Sequence, residues 1–359
     1  MNDPRPRQRW PHAWLGMLLL FSLLVGCAAL QPELERERHR EAGLAIQAVY
    51  DAALPDLPPA KQRHYAQRLY RISAEPDYLP FSHDHGQRLL SKLAADIEGL
   101  AEPGHAAARS RDIIDDYPLR TRKQRARHAM LEEWGEIAFA RQLLFRLVQA
   151  NYYGLLDSPA LHGRERAFRY LAGVEWERFL TDPHVMRIYA AQVANQAYFL
   201  HDLDIMDLRD EVTTAFRRQY PAESVASLGR DEYHNMLYGM THFVIAASRY
   251  YQQWVDPRAY AWILDRFEQD IERILVDATE DIQAEVALSF LLAGQDDHDV
   301  VIRVRDVLVE AIDPRAGIIP SPTGSVDLDG GEHRNVLAIL VLRWPGRLYS
   351  GPDLSTLGL

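Results

Sequence analysis

Three short segments in the last third of the chain hold most of the side chains able to do chemistry. They are Tyr238-Gly-Met-Thr241-His242, Glu280-Asp281-Ile-Gln283-Ala-Glu285 and Glu332-His333-Arg334-Asn335. Each opens an apolar run, and roughly 40–50 residues separate one from the next. Three chemistries use such groups. Two imidazoles and a carboxylate, His242, His333 and Glu285, are the donor types of a zinc or other divalent site. Two carboxylates about 5–10 Å apart, one held protonated, hydrolyse a glycosidic bond; Asp281 and Glu285 lie one helical turn apart, with Asp327, Asp329 and Glu332 on another segment. A base such as His242 or His333 beside a phenol such as Tyr238 suits a lyase or an epimerase. Acidic residues at helix starts more often serve as caps and dipole partners, and histidines near helix ends more often bond to backbone. The expected site is therefore His242, Asp281, Glu285, Glu332 and His333, supported by Tyr238, Arg334 and Asn335. No cofactor is expected, because a metal site built on such nonlocal spacing depends wholly on the fold.

Other clusters weaken on inspection. His234, Tyr238 and His242 form one i, i+4, i+8 stripe, but its histidines stand about 12 Å apart, which suits a pocket wall better than a ligand set. Ser82-His83-Asp84-His85 follows Pro80 and precedes Gly86, as a surface turn would. The basic run Arg120–Arg127 leads into Glu132, Glu133 and Glu136, as a solvated helix face would. Trp134, Trp176, Trp254, Trp262 and Trp344 stand at helical spacing and are assigned mostly to the core. There is no Walker loop, no G-x-S-x-G and no H-E-x-x-H.

The elements that must position the three segments are helices. Apolar residues recur at helical spacing in Arg122–Ala150, Asp182–Leu200 and Asp231–Trp254, and breaks fall at Pro55, Pro76, Pro103-Gly104, Pro159, Pro221 and Pro314. Asp256-Pro257 and Thr279 predict helix starts, and Gly294 a stop. Only Gly317–Gly331 departs from the pattern, as a long loop or small hairpin. The expected class is all-α. Three polar-start helices separated by intervening helices resemble an α/α toroid, complete or partial, in which inner helices aim their starts at one pocket. That resemblance rests on layout over residues 120–345 and implies a glycan, an isoprenoid or a peptide as ligand. The body also resembles uncharacterised bacterial domain-of-unknown-function families, which imply no mechanism. The organisation expected is a helical region over 33–119 packed on a toroid-like domain over 120–359.

Composition narrows the class. The 359 residues are 47% hydrophobic and 25% charged, as in ordinary globular proteins. With 51 acidic against 40 basic side chains the net charge is -11, the wrong sign for a nucleic-acid binder. One cysteine, Cys27, excludes an intramolecular disulfide and a multi-cysteine zinc site.

That cysteine ends a distinctive N-terminus. Arg5, Arg7 and Arg9 precede an apolar Leu15–Val25 run of signal-peptide length, then Leu24-Val25-Gly26-Cys27. The order resembles the leader and lipobox of bacterial lipoproteins. It implies a signal peptide over 1–26, palmitate-type acylation of Cys27 and a short tether over 27–32. Ala28, where the inner-membrane retention signal has Asp, implies the outer membrane of a Gram-negative host, facing the periplasm. The alternative is an uncleaved anchor, since Ala13–Leu30 is uncharged and just long enough to span a bilayer. The function expected is a lipid-anchored envelope protein whose pocket binds or processes a carbohydrate; the alternative is a non-catalytic envelope scaffold. Its partners would be the membrane, a glycan or an envelope protein, and not nucleic acid.

Overall fold

A computed structural model describes the backbone of residues 13–357 and the side chains of residues 33–356. The leader over 1–26 and the Cys27 side chain lie outside the described side chains. Among the described residues there is no strand, and no helix is long and apolar enough to cross a membrane.

The helices, in order, are α1 (Ala13–Ala53), α2 (Pro59–Ser73), α3 (Leu79–Gly99), α4 (His105–Asp115), α5 (Arg122–Glu133), α6 (Ile137–Tyr152), α7 (Glu165–Ala172) and α8 (Trp176–Leu180). Then come α9 (Pro183–Asp202), α10 (Arg209–Gln219), α11 (Arg230–Ala247), α12 (Ala261–Gln269), α13 (Ile271–Asp277), α14 (Glu280–Leu292), α15 (Asp299–Glu310) and α16 (Leu328–Leu342). Local chemistry sets several ends. Asp182 accepts hydrogen bonds from the His184 and Val185 amides, with Pro183 pre-shaped for the first turn. Thr121 and Gln124 form a reciprocal capping box at α5. Gly294, at φ +73°, ends α14 in the left-handed conformation that favours glycine.

The residues of α14 from Ile282 to Leu292 are all buried, as are those of α16 from Asn335 to Leu342. A helix apolar all round belongs in the interior. Around these two, α2 packs on α16, α16 on α14, α14 on α11, α11 on α9 and α9 on α6, while Gln67 of α2 donates to Gln149 of α6 at 3.4 Å. Contact pairs advance together along neighbours: Phe145 with Phe199 and Tyr152 with Asp202, Met186 with Asn235 and Asn195 with His242, Tyr238 with Asp281 and Thr241 with Glu285. So α6, α9, α11 and α14 run parallel. Outside them α3 packs on α2, α4 on α6, α10 on α9, α15 on α14 and α1 on α16. One hydrophobic core runs from Ile46 to Leu354, across residue 120 without a break.

Parallel helices joined through outer helices must approach closely. At Gly239 of α11 an added Cβ would stand 2.4 Å from the Phe216 ring and 2.9 Å from Ala190 of α9. Gly239→Val should therefore destabilise the protein by about 1–3 kcal/mol. The measurement is denaturant unfolding, and a stability equal to the natural protein's would refute the close packing.

Three local expectations are corrected. Asp256-Pro257 starts a turn, with Asp256 accepting from the Arg258 amide, and helix resumes only at Ala261. Thr279 stands at the N-cap of α14 but makes no cap bond; its hydroxyl turns to Asp281. Ser82–His85 is helix, because Pro80 falls in the first turn of α3, where proline is tolerated. Gly317–Asp327 is a loop with a tight turn, Ser321 N–H to Ser325 O at 2.8 Å, and Asp327 caps α16.

Candidate functional site

One cavity of about 370 Å³ opens where α2, α5, α6, α9, α11 and α16 meet. It is lined by His64, Tyr238, His242 and His333, by the cations Arg63, Arg68, Lys123 and Arg127, by Gln67, Gln149, Gln192 and Asn195, and by the rings of Phe145, Tyr189 and Tyr250. Among the described residues no Asp or Glu lines it.

Behind this lining stands Glu285, 1% exposed. His242 of α11 and His333 of α16, expected from sequence to share a pocket, each bring Nε2 to 3.7 Å from its Oε1. Its Oε2 lies 2.7 Å from the Thr241 hydroxyl. Burial drives the Glu285 carboxyl up to about 8, so at neutral pH it keeps its proton. Protonated on Oε2, it donates to Thr241, whose hydroxyl then donates to the Tyr238 carbonyl. Burial also pushes His242 down to about 3, helped by His333 and Arg68, and His333 down to about 4, helped by Arg68, Lys61 and Arg334. Both imidazoles are neutral at pH 7. His242 Nδ1 sits 3.0 Å from Asn195 Oδ1; donating there leaves Nε2 as a free base.

The contacts continue in a line. His333 Nδ1 is 3.4 Å from His64 Nε2, and His64 Nδ1 is 2.6 Å from Glu332 Oε1. Glu332 is fully buried; burial raises its carboxyl to about 7, against Arg68, Lys61 and Arg63, which lower it. Burial likewise holds His64 well below the ordinary imidazole range. Glu332, His64, His333, Glu285 and His242 thus form a chain of proton-holding groups. Among the described residues no three His, Cys, Asp or Glu side chains stand where they would share one metal ion.

The remaining expected residues divide. Tyr238 lines the cavity and hydrogen-bonds Asp281, which stands behind it. Burial raises the Asp281 carboxyl, but hydrogen bonds from Thr279 and Tyr238 outweigh this and hold it low. Asp281, Glu285 and Glu332 therefore back the cavity rather than face it, because each is spent on a neighbouring side chain. A pair of lining carboxylates, as glycoside hydrolysis requires, is absent among the described residues. Asn335 points into the core, bonding the Ile319 amide and carbonyl, Gly331 O and the Tyr50 hydroxyl. Arg334 faces Glu280 at 3.7 Å. His234 bonds the Asp277 carbonyl at 2.7 Å and leaves only Tyr238 and His242 of the stripe on the cavity. None of the tryptophans lines it.

Several lining residues escape the sequence argument. His64 and Arg68 lie in the region assigned to an outer packing role. Their signal was the polar stripe Arg63, His64, Gln67, Arg68 and Arg71, interleaved with the buried Tyr65, Leu69 and Ile72. Lys123 and Arg127 belong to the run read as a solvated face; Lys123 is exposed but lies over the Tyr238 ring at the cavity mouth, and Arg127 is half-buried over Tyr189. Tyr189 sits at a kink in α9, φ -131° and ψ 26°, beneath Arg127 and Arg141. Burial raises its phenol, but Arg141, Tyr117 and Arg127 together lower it below the usual value.

A family model described as "Domain of unknown function (DUF3541)" matches residues 39–357. No curated protein and no solved structure matches the chain.

Proposed function

The chain belongs to the DUF3541 domain-of-unknown-function family, and from its cavity we propose a lipid-anchored envelope protein that binds and processes a carbohydrate by imidazole acid–base chemistry. The observation that carries this is the pair of neutral imidazoles, His242 and His333, meeting at one buried, protonated carboxyl on the wall of a ligand-sized cavity. A neutral imidazole on the cavity wall accepts a proton from a bound sugar and can return it, while the buried Glu285 carboxyl backs the pair from behind the lining. The glycosidase reading is set aside, since no carboxylate reaches the cavity. The supporting architecture is an α/α toroid with α2, α6, α9, α11, α14 and α16 as its inner ring. In its favour stand their successive packing, the parallel runs, the outer helices between successive inner ones and the Gln67–Gln149 contact between α2 and α6. Cys27 supplies the anchor by its lipobox, and the body then faces the periplasm from the outer membrane.

Screening the detergent-solubilised full chain on a glycan array and on peptidoglycan tests this. Retention of a glycan class is expected. Turnover, read as solvent deuterium entering the retained glycan or its product, should fall about 10²–10⁴-fold in His242→Gln. Retention of no glycan, or undiminished turnover in both His242→Gln and His333→Gln, would overturn the proposal.

A further inference from the structure

Four cations gather on the cavity wall. Arg63 and Arg68 on α2 and Lys123 and Arg127 on α5 have no carboxylate within 4.0 Å among the described residues, although the chain carries more acidic than basic side chains. Each lies over an aromatic ring instead: Arg63 over Phe145 at 5.9 Å, Arg68 over Tyr251 at 5.7 Å, Lys123 over Tyr238 at 5.4 Å and Arg127 over Tyr189 at 4.9 Å. Arg68 is 6% exposed, and its buried Nε has no hydrogen-bond partner; the Nε of Arg127 is likewise buried and unpartnered. Leaving buried guanidinium donors unpaired is costly unless a ligand occupies them.

The nearest carboxyls neutralise this wall only in part: Asp281, held ionised behind Tyr238, attracts Lys123. Glu285 and Glu332 stand behind the histidines, and burial favours their uncharged forms. The space is therefore electropositive inside an acidic protein, a field that concentrates anions. The cations come from two helices, so they suit anionic groups at more than one position along a ligand. Between them Gln67, Gln149, Gln192 and Asn195 offer amide donors and acceptors of the kind that hydroxyl groups need.

We propose that the ligand is an acidic sugar chain, its carboxylates held by Arg63, Arg68, Lys123 and Arg127 and its hydroxyls by the interleaved amides. This rests on the carbohydrate reading of the same cavity and names the substrate class.

Calorimetric titration of the full chain in detergent separates the two. The probes are galacturonate and glucuronate trisaccharides, a neutral glucose trisaccharide and inorganic phosphate. A uronate trisaccharide is expected to bind at least about tenfold tighter than the neutral one, and its affinity to fall with added salt. Lys123→Met and Arg68→Gln should each weaken it about tenfold or more, since a charge-assisted hydrogen bond is lost. In Lys123→Met neutral-sugar binding should change far less than uronate binding, and its exposed site spares the core and controls for misfolding in the Arg68 variant. Equal or tighter binding of the neutral trisaccharide overturns the acidic class and leaves the carbohydrate function standing. Binding of phosphate but of no sugar overturns both, as does binding of nothing.

Discussion

Glu285→Gln is expected to be more stable than the natural protein at pH 7 and indistinguishable from it near pH 4. The carboxyl's ordinary value is 4.5, and burial raises it to about 8 in the folded state. Between those values the folded chain keeps a proton that the unfolded chain releases, so stability falls as pH rises. By pH 7 the loss is on the order of 3 kcal/mol. Glutamine cannot ionise, and its amide can still donate to the Thr241 hydroxyl as the protonated acid does. On the acid side the sign reverses. His242 and His333 have an ordinary value of 6.5 and are lowered to about 3 and about 4 by burial. Below 6.5 the unfolded chain binds protons that these buried imidazoles refuse, so stability falls as pH drops. The natural protein should be most stable between roughly pH 4.5 and 6.5, while the variant keeps the acid limb and loses the Glu285 share of the falling one, that of Glu332 remaining. Thermal melts from pH 4 to pH 9 measure both limbs. Parallel curves for the two proteins would show that Glu285 ionises normally, and the acid–base reading of the site would go with it.

Cys27→Ser is expected to abolish palmitate labelling completely. Each buried methylene of an acyl chain contributes about 0.8 kcal/mol, so two or three chains make attachment effectively permanent, and serine offers no thiol to carry them. The label is the proper readout rather than fractionation, because an uncleaved, uncharged Ala13–Leu30 stretch would itself hold the chain at a bilayer. The folded body should melt as before, since its core begins at Ile46. Label that persists in the variant would remove Cys27 as the anchor.

Much of the helical layout is legible in the sequence because caps and breaks are local. Gly294 acts within one turn and ends its helix where expected, and Asp182 caps the helix that carries the Asp182–Leu200 periodicity. Asp256-Pro257 shows the limit: the same cap chemistry makes a turn here, and helix resumes only at Ala261. The meeting of His242, Glu285 and His333 is also legible, since all three open apolar segments spaced as alternate helices. The α2 and α5 walls are not. His64 reaches His333 across 269 positions of sequence, and helical periodicity says which face of a helix is polar but not whether that face meets water or a cavity.

The sequence by itself determined that the protein is helical, that its thiol chemistry is confined to Cys27, and which imidazoles and carboxylates adjoin the apolar runs of the buried helices. Those properties follow from composition and from interactions within a few residues. Only the tertiary structure decided which of these groups face the cavity and which stand behind it, which are charged, and that four cations there have no carboxylate partner. Charge state and pairing depend on desolvation, and desolvation is set by whatever the rest of the chain lays over a side chain.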